Sequence, residues 1–171
     1  MWGNFCNFAP TSPYNIRKGH KRMRFLGNIE AKTDAKGRVF LPSVFRKVLQ
    51  SAGEERLVLR KDVHEACLVL YPETVWNEQM DIMRSRLNRW NRHEQQVFRQ
   101  FVIDAEEVTL DSNGRFILSQ RFQDMLGVAQ SVRFIGVGDT IEVWAEERAK
   151  ELDNTKEDFA ESMEKLMHNA N

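Results

Sequence analysis

"TDAKGRVFLP" at residues 33–42 and "LDSNGRFILS" at residues 110–119 are two copies of one pattern. Each holds an aspartate, a Gly-Arg pair beginning three residues on, and a short apolar run. Asp34, Gly37 and Arg38 of the first copy correspond to Asp111, Gly114 and Arg115 of the second. These residue types specify a turn that feeds a strand: the Asp oxygen closes a tight turn onto nearby amides, Gly accepts positive φ, and the alternating apolar run has strand period. Lys32 and Lys36 flank the first turn, where the second has Thr109 and Asn113.

The likeness runs outward from the turns. With Asp34 laid on Asp111, an offset of 77 residues, "PSVFRKVLQ" (42–50) meets "SQRFQDMLG" (119–127), placing Phe45 over Phe122 and Leu49 over Leu126. After short gaps "RLVLR" (56–60) meets "VRFIG" (132–136), and "CLVLY" (67–71) meets "TIEVW" (140–144). Each half therefore predicts strand, turn, strand, short helix, strand, turn, strand. Pro42 and Ser119 stand where a helix starts most easily. A few short strands and one helix cannot enclose a core alone, so the halves are expected to interleave as an α+β fold, a small β-barrel with pseudo-twofold symmetry.

Between the halves, Trp76, Met80, Met83, Leu87 and Trp90 step by four and three, one apolar stripe at helical spacing. Asn91 and Glu94 then form a capping-box pair that restarts a helix carrying Val97, Phe98, Phe101 and Val102. Both stripes read as core. The expected organisation is a flexible extension over 1–22 with an alternative start at Met23, a first module over 23–72, a helical insert over 73–104, a second module over 105–148, and a charged C-terminal helix or tail over 149–171. Leu152, Phe159, Met163 and Leu166 form only a thin stripe in that last segment, which predicts a mobile or subunit-facing helix.

Composition narrows the function. The 171 residues carry 42% apolar side chains and a formal net charge of zero, but residues 1–49 hold ten Lys/Arg against two acids, while residues 146–171 hold eight acids against four bases. The basic third can attract an anionic partner, or it can be solvated charge alone. No apolar stretch reaches membrane-spanning length, and the opening residues lack the pattern of an export signal, so a cytoplasmic protein is expected. Two distant cysteines, Cys6 and Cys67, predict no disulfide framework. His64 and Cys67 have metal-like spacing but no second pair, and no nucleophile elbow, phosphate loop or dinucleotide fingerprint occurs. No catalytic residues, metal or cofactor are expected, and the protein is read as not an enzyme.

The chemistry lies at the turns. A guanidinium just after a tight turn projects from the rim and offers a planar fork that matches phosphate or the O6/N7 edge of guanine. The alternative for each copy is an Asp–Arg pair that only pins its loop. Duplication favours the first reading: two like turns related by approximate symmetry place both arginines on one face, with neighbouring grooves of a duplex receiving them. Lys32 and Lys36 predict the stronger phosphate binding in the first half.

The two D-x-x-G-R turns, the stretch "MRFLGNIEAKTDAKGRVFLP", the "CLVLYP" strand before a long helical insert and the second "DSNGRFIL" together resemble the MraZ family of bacterial transcriptional regulators, over about residues 23–148. The resemblance implies tandem AbrB-like (SpoVT/AbrB) swapped-hairpin modules in a ring-shaped homo-oligomer. It implies a repressor that binds direct repeats in double-stranded promoter DNA upstream of the cell-division and cell-wall gene cluster, in the cytoplasm on the nucleoid. It assigns DNA recognition to the Asp34/Arg38 and Asp111/Arg115 motifs, with Lys32, Lys36, Gly37 and Gly114 beside them. Rival readings are an AbrB-type antitoxin that also holds a toxin through its tail, and a protein-interaction scaffold.

Overall fold

The computed structural model describes residues 22–127, 130–152 and 156–168. In chain order the elements are β1 (Phe25–Lys32), β2 (Arg38–Phe40), α1 (Ser43–Ala52), β3 (Arg56–Lys61), β4 (Leu68–Pro72), α2 (Glu73–Arg86), α3 (Arg92–Ile103), β5 (Glu106–Thr109), β6 (Arg115–Ile117), α4 (Gln120–Leu126), β7 (Ser131–Gly138), β8 (Ile141–Ala145), α5 (Glu146–Leu152) and α6 (Lys156–His168). The series from β1 to β4 is repeated by β5 to β8 with a helix after the second strand each time. Apart from Arg22, the expected extension over 1–22 lies outside the described residues.

Six strands form an antiparallel sheet in the order β1-β7-β8-β4-β3-β5, and β2 and β6 form a separate two-stranded ribbon. The first strand of each half pairs with the third strand of the other: β1 with β7, and β5 with β3. Exchanging the halves reverses the strand order without changing it, so the pseudo-twofold is present in the pairing. Val69 opposes Glu142 at its centre in the sheet, and Val39 opposes Phe116 in the ribbon.

The expected closed barrel is not seen. Because β4 pairs with β8 in the middle, the two halves are joined back to back and β1 and β5 are carried to opposite edges of an open sheet. β2 and β6, three residues each, pair with one another and cover part of the core, and an isolated bridge from Val39 to Thr33 ties the ribbon to the end of β1. The pairing also moves one alignment by a residue. Leu57 and Leu59 face the core as Val132 and Phe134 do, so "RLVLR" corresponds to residues 131–135 and not 132–136. In a strand, a slip of one residue turns every side chain to the opposite face, and burial of the inward set decides the register.

One apolar cluster occupies the space between sheet, ribbon and helices. Phe45 and Leu49 enter from α1, Phe122 and Leu126 from α4, and Val39 and Phe116 from the inner face of the ribbon. Phe25 meets Phe45 edge-on at 5.9 Å, and Phe116 meets Phe134 at 6.2 Å. Burying side chains of this size contributes about 1.5–3 kcal/mol each. α1 and α4 stop at Gly53 and Gly127, whose left-handed conformations close the last turns.

The insert covers the other face of β3 and β4. Trp76 stacks on Phe101 with centroids 5.3 Å apart, Tyr71 meets Trp76 at 5.4 Å, and the Arg60 guanidinium lies 4.2 Å from the Phe101 centroid. The apolar stripe expected to run to Trp90 stops short: α2 ends at Arg86, Leu87 is extended, and Trp90 is 96% exposed. Asn91 caps α3 by accepting from the His93 and Glu94 amides, but the Glu94 carboxylate accepts from the Asn88 backbone amide and from Asn91 Nδ2, while the Asn91 backbone amide donates to the Asn88 carbonyl. No helix among the described residues is long and apolar enough to cross a membrane.

Candidate nucleic-acid interface

Both turns carry the same hydrogen bonds. In the first, Asp34 Oδ1 accepts from the amides of Lys36 and Arg38, each at 2.9 Å, and Oδ2 accepts from Arg38 Nε at 2.6 Å. In the second, Asp111 Oδ1 accepts from the amides of Asn113 and Arg115, each at 2.9 Å, and Oδ2 accepts from Arg115 Nε at 2.8 Å. The carboxylate thus shapes the turn with one oxygen and orients the arginine with the other. Among the described residues only Nε is engaged, which leaves the terminal guanidinium nitrogens of each side chain for a partner.

Those bonds also set the charge state. The Arg38 amide holds the Asp34 carboxyl below its ordinary 3.8, helped by the Arg38 side chain and the Lys36 amide; Arg115 and Asn113 do the same for Asp111. A lowered carboxylate supports the folded turn above its unfolded value and loses that support as pH falls through the folded one. Both locks are therefore complete near neutrality.

The ribbon brings the two arginines together. Val39 and Phe116 point into the core, so their neighbours Arg38, Phe40, Arg115 and Ile117 share the outer face. Arg38 is directly opposite Ile117 and Phe40 opposite Arg115. The arginines sit diagonally, a separation of roughly 7–8 Å between backbones. That spacing is closer than the neighbouring grooves expected for the two arginines would require, and it is less than the width of one major groove, about 12 Å. Phe40 and Ile117 are more than half exposed, and Arg115 leans toward the Phe40 ring at 5.6 Å. A groove of about 420 Å³ beside β1 has Lys32, Asp34, Arg38, Phe40 and Arg115 on its walls.

The glycines lock the two turns to each other. Gly37 and Gly114 have φ of 73° and 79°. The Leu118 amide donates to the Gly37 carbonyl at 2.8 Å, and the Leu41 amide donates to the Gly114 carbonyl at 3.0 Å. Each turn is thereby tied to the far end of the other half's strand. Above each glycine lies a side chain from the other half's helix: Gln123 of α4 over Gly37, and Arg46 of α1 over Gly114.

All eight residues singled out in sequence thus lie in or beside the two turns, and the arginines share one surface. Arg46, Gln123, Phe40 and Ile117 also stand on or against this surface and carry no signal in the sequence that marks them. The 77-residue offset superposes Arg46 on Gln123, but nothing in either stretch says that each crosses to the opposite turn. Among the described residues, no three His, Cys, Asp or Glu side chains group as a metal site.

The family model described as "MraZ protein, putative antitoxin-like" matches residues 24–99 and 101–169. A protein of Phocaeicola vulgatus named transcriptional regulator MraZ is 59% identical over 145 residues, covering 85% of this chain and 94% of its own. Proteins of the same name from Bacteroides fragilis and Bacteroides thetaiotaomicron are 54% and 52% identical, over 85% and 87% of this chain and 92% and 96% of theirs.

Proposed function

Because the chain belongs to the MraZ family, we propose that it is a sequence-specific DNA-binding transcriptional regulator whose reading head is the β2–β6 ribbon. The observation that carries this is the pair of carboxylate-locked guanidiniums on one exposed face, each with its terminal nitrogens unspent among the described residues. A fork held in one rotamer loses little entropy on meeting guanine or phosphate. Phe40 and Ile117 between the arginines offer apolar contact to a thymine methyl. Lys32 and Lys36 add phosphate attraction beside the first turn. The rival in which the Asp–Arg pairs only pin their loops leaves the shared outward face unexplained.

The finer parts of the proposal follow the family resemblance. Copies arranged head to tail in a ring present their ribbons in one sense, which suits direct repeats, whereas a twofold dimer suits a palindrome. Each ribbon binds weakly, and neighbouring repeats raise the effective concentration for the next. A filled array upstream of the cell-division and cell-wall gene cluster represses by excluding polymerase. The exposed Phe159, Met163, Leu166 and Met167 of α6 support contact with a neighbouring copy.

The direct test is a gel shift with the DNA immediately upstream of the chain's own gene, intact or with its repeats scrambled, across a salt series. Tight binding to the intact duplex alone, weakening steeply with salt, is expected. Equal binding to both, or a flat salt response, would overturn the proposal.

The Asp–Arg lock makes a narrower prediction. Asp34→Asn keeps an oxygen for the Lys36 and Arg38 amides but sets an amide NH2 against Arg38 Nε, so the turn survives and the arginine is released. The variant should discriminate less between operator and random duplex, by roughly 5–10-fold, about half of one good base contact. Its affinity for random duplex should not fall, since a negative charge has gone. Competition titrations check this, and an equal loss on both duplexes would contradict it.

A further inference from the structure

Arg46 occupies an unusual position. A Cβ placed on Gly114 would meet its Nη1 and come within 2.6 Å of its Cδ and 2.7 Å of its Cζ, so the side chain lies flat on the tip of the second turn. Its Nε is buried with no hydrogen-bond partner, and among the described residues no carboxylate pairs with it. The carboxylate in that turn, Asp111, is already committed to Arg115. The pseudo-twofold counterpart, Gln123, sits over Gly37 in the same way but is satisfied, its Nε2 donating to the Leu118 carbonyl at 2.7 Å. One of two equivalent positions thus holds a neutral, bonded amide, and the other a cation without a counter-ion.

The charge falls where the sequence lacks one. The first turn has Lys36 where the second has Asn113, and Lys32 where the second has Thr109. Helix α1, following the first turn in the chain, delivers its arginine to the second. We propose that Arg46 is the phosphate-binding cation of the second turn, taking a backbone phosphate of the duplex whose base edges face Arg38 and Arg115. This assignment rests on the DNA-binding reading above. A half-buried guanidinium with no internal carboxylate is stabilised by an arriving anion and gives up no ion pair to bind it. Through Arg46 the two turns carry more nearly equal positive charge than the chain order suggests, so the second half is not the weak partner its own residues imply.

The internal symmetry supplies the test. Arg46→Gln places over Gly114 the side chain that the fold already accepts over Gly37, so thermal midpoint and oligomer size should match the wild type. Binding is measured on the upstream duplex and on a random duplex of equal length, from low to moderate salt. Arg46→Gln should weaken both duplexes by a similar factor and lower the slope of log K against log salt by about one per bound chain. Arg46→Lys, which keeps a point charge, should restore most of the slope. Gln123→Arg, which adds a cation at the first turn without removing one elsewhere, should steepen it by about one. An Arg46→Gln protein with wild-type affinity and slope, or a Gln123→Arg protein with an unchanged slope, would overturn the assignment alone. A wild-type chain that binds neither duplex would overturn the DNA-binding reading and this assignment with it.

Discussion

The double variant Arg38→Ala/Arg115→Ala is expected to lose operator binding while keeping its fold and assembly. Each bidentate arginine contact to a base is worth about 1–3 kcal/mol, so removing two costs at least about 30-fold per chain, and the loss multiplies where several chains share one array. A second effect points the same way. The truncation leaves the Asp34 and Asp111 carboxylates unpaired on the face that meets phosphate, so attraction turns partly to repulsion. Folding should be spared: Asp34 and Asp111 still accept the turn amides, and exposed ion pairs add little to stability. Filter binding alongside light scattering measures both quantities. A double variant of unchanged size that still binds the operator like the wild type would remove the ribbon from DNA recognition.

Gly136→Ala should be the most damaging methyl insertion in the sheet. Gly136 pairs with Gly27, and β1 passes so close that a Cβ would lie 2.5 Å from the Phe25 carbonyl carbon, 2.6 Å from its oxygen and 2.7 Å from the Leu26 nitrogen. These are backbone atoms, so no rotamer change relieves the contact. The strand that must move carries the fully buried Phe25 and links the two halves. A loss of about 3 kcal/mol is expected, at the upper end for overpacking, with a fall in thermal midpoint of roughly 6–12 °C. Gly138→Ala is the control, since open space surrounds its Cβ position and only its φ of 90° is unfavourable. Urea unfolding of both variants checks the contrast, and Gly136→Ala as stable as the wild type would refute the close approach.

Much of this was legible because turn chemistry is local. An Asp, a Gly and an Arg within five residues suffice to specify the hydrogen bonds seen at both turns, and the repeated order of strands and helices follows from apolar periodicity. Asn91 marked the start of α3 for the same reason, its side chain capping amides two and three residues away. Trp90 was misleading because helical spacing in sequence continues across a break in the helix. The one-residue shift of "RLVLR" could not be read from that stretch, since Leu57, Val58 and Leu59 are all apolar and all buried.

Local chemistry written in the chain specifies the two turns, their aspartate–arginine pairs, the doubled order of elements and the family to which they point, since each depends on neighbours within a few positions or on a repeat at constant offset. Tertiary structure alone decided that the sheet stays open, that Arg38 and Arg115 meet on one ribbon within a single groove's width, and that Arg46 crosses to the opposite turn. Those outcomes depend on which strand of one half pairs with which strand of the other, and that is settled by burying the combined core of both halves, a quantity no local stretch contains.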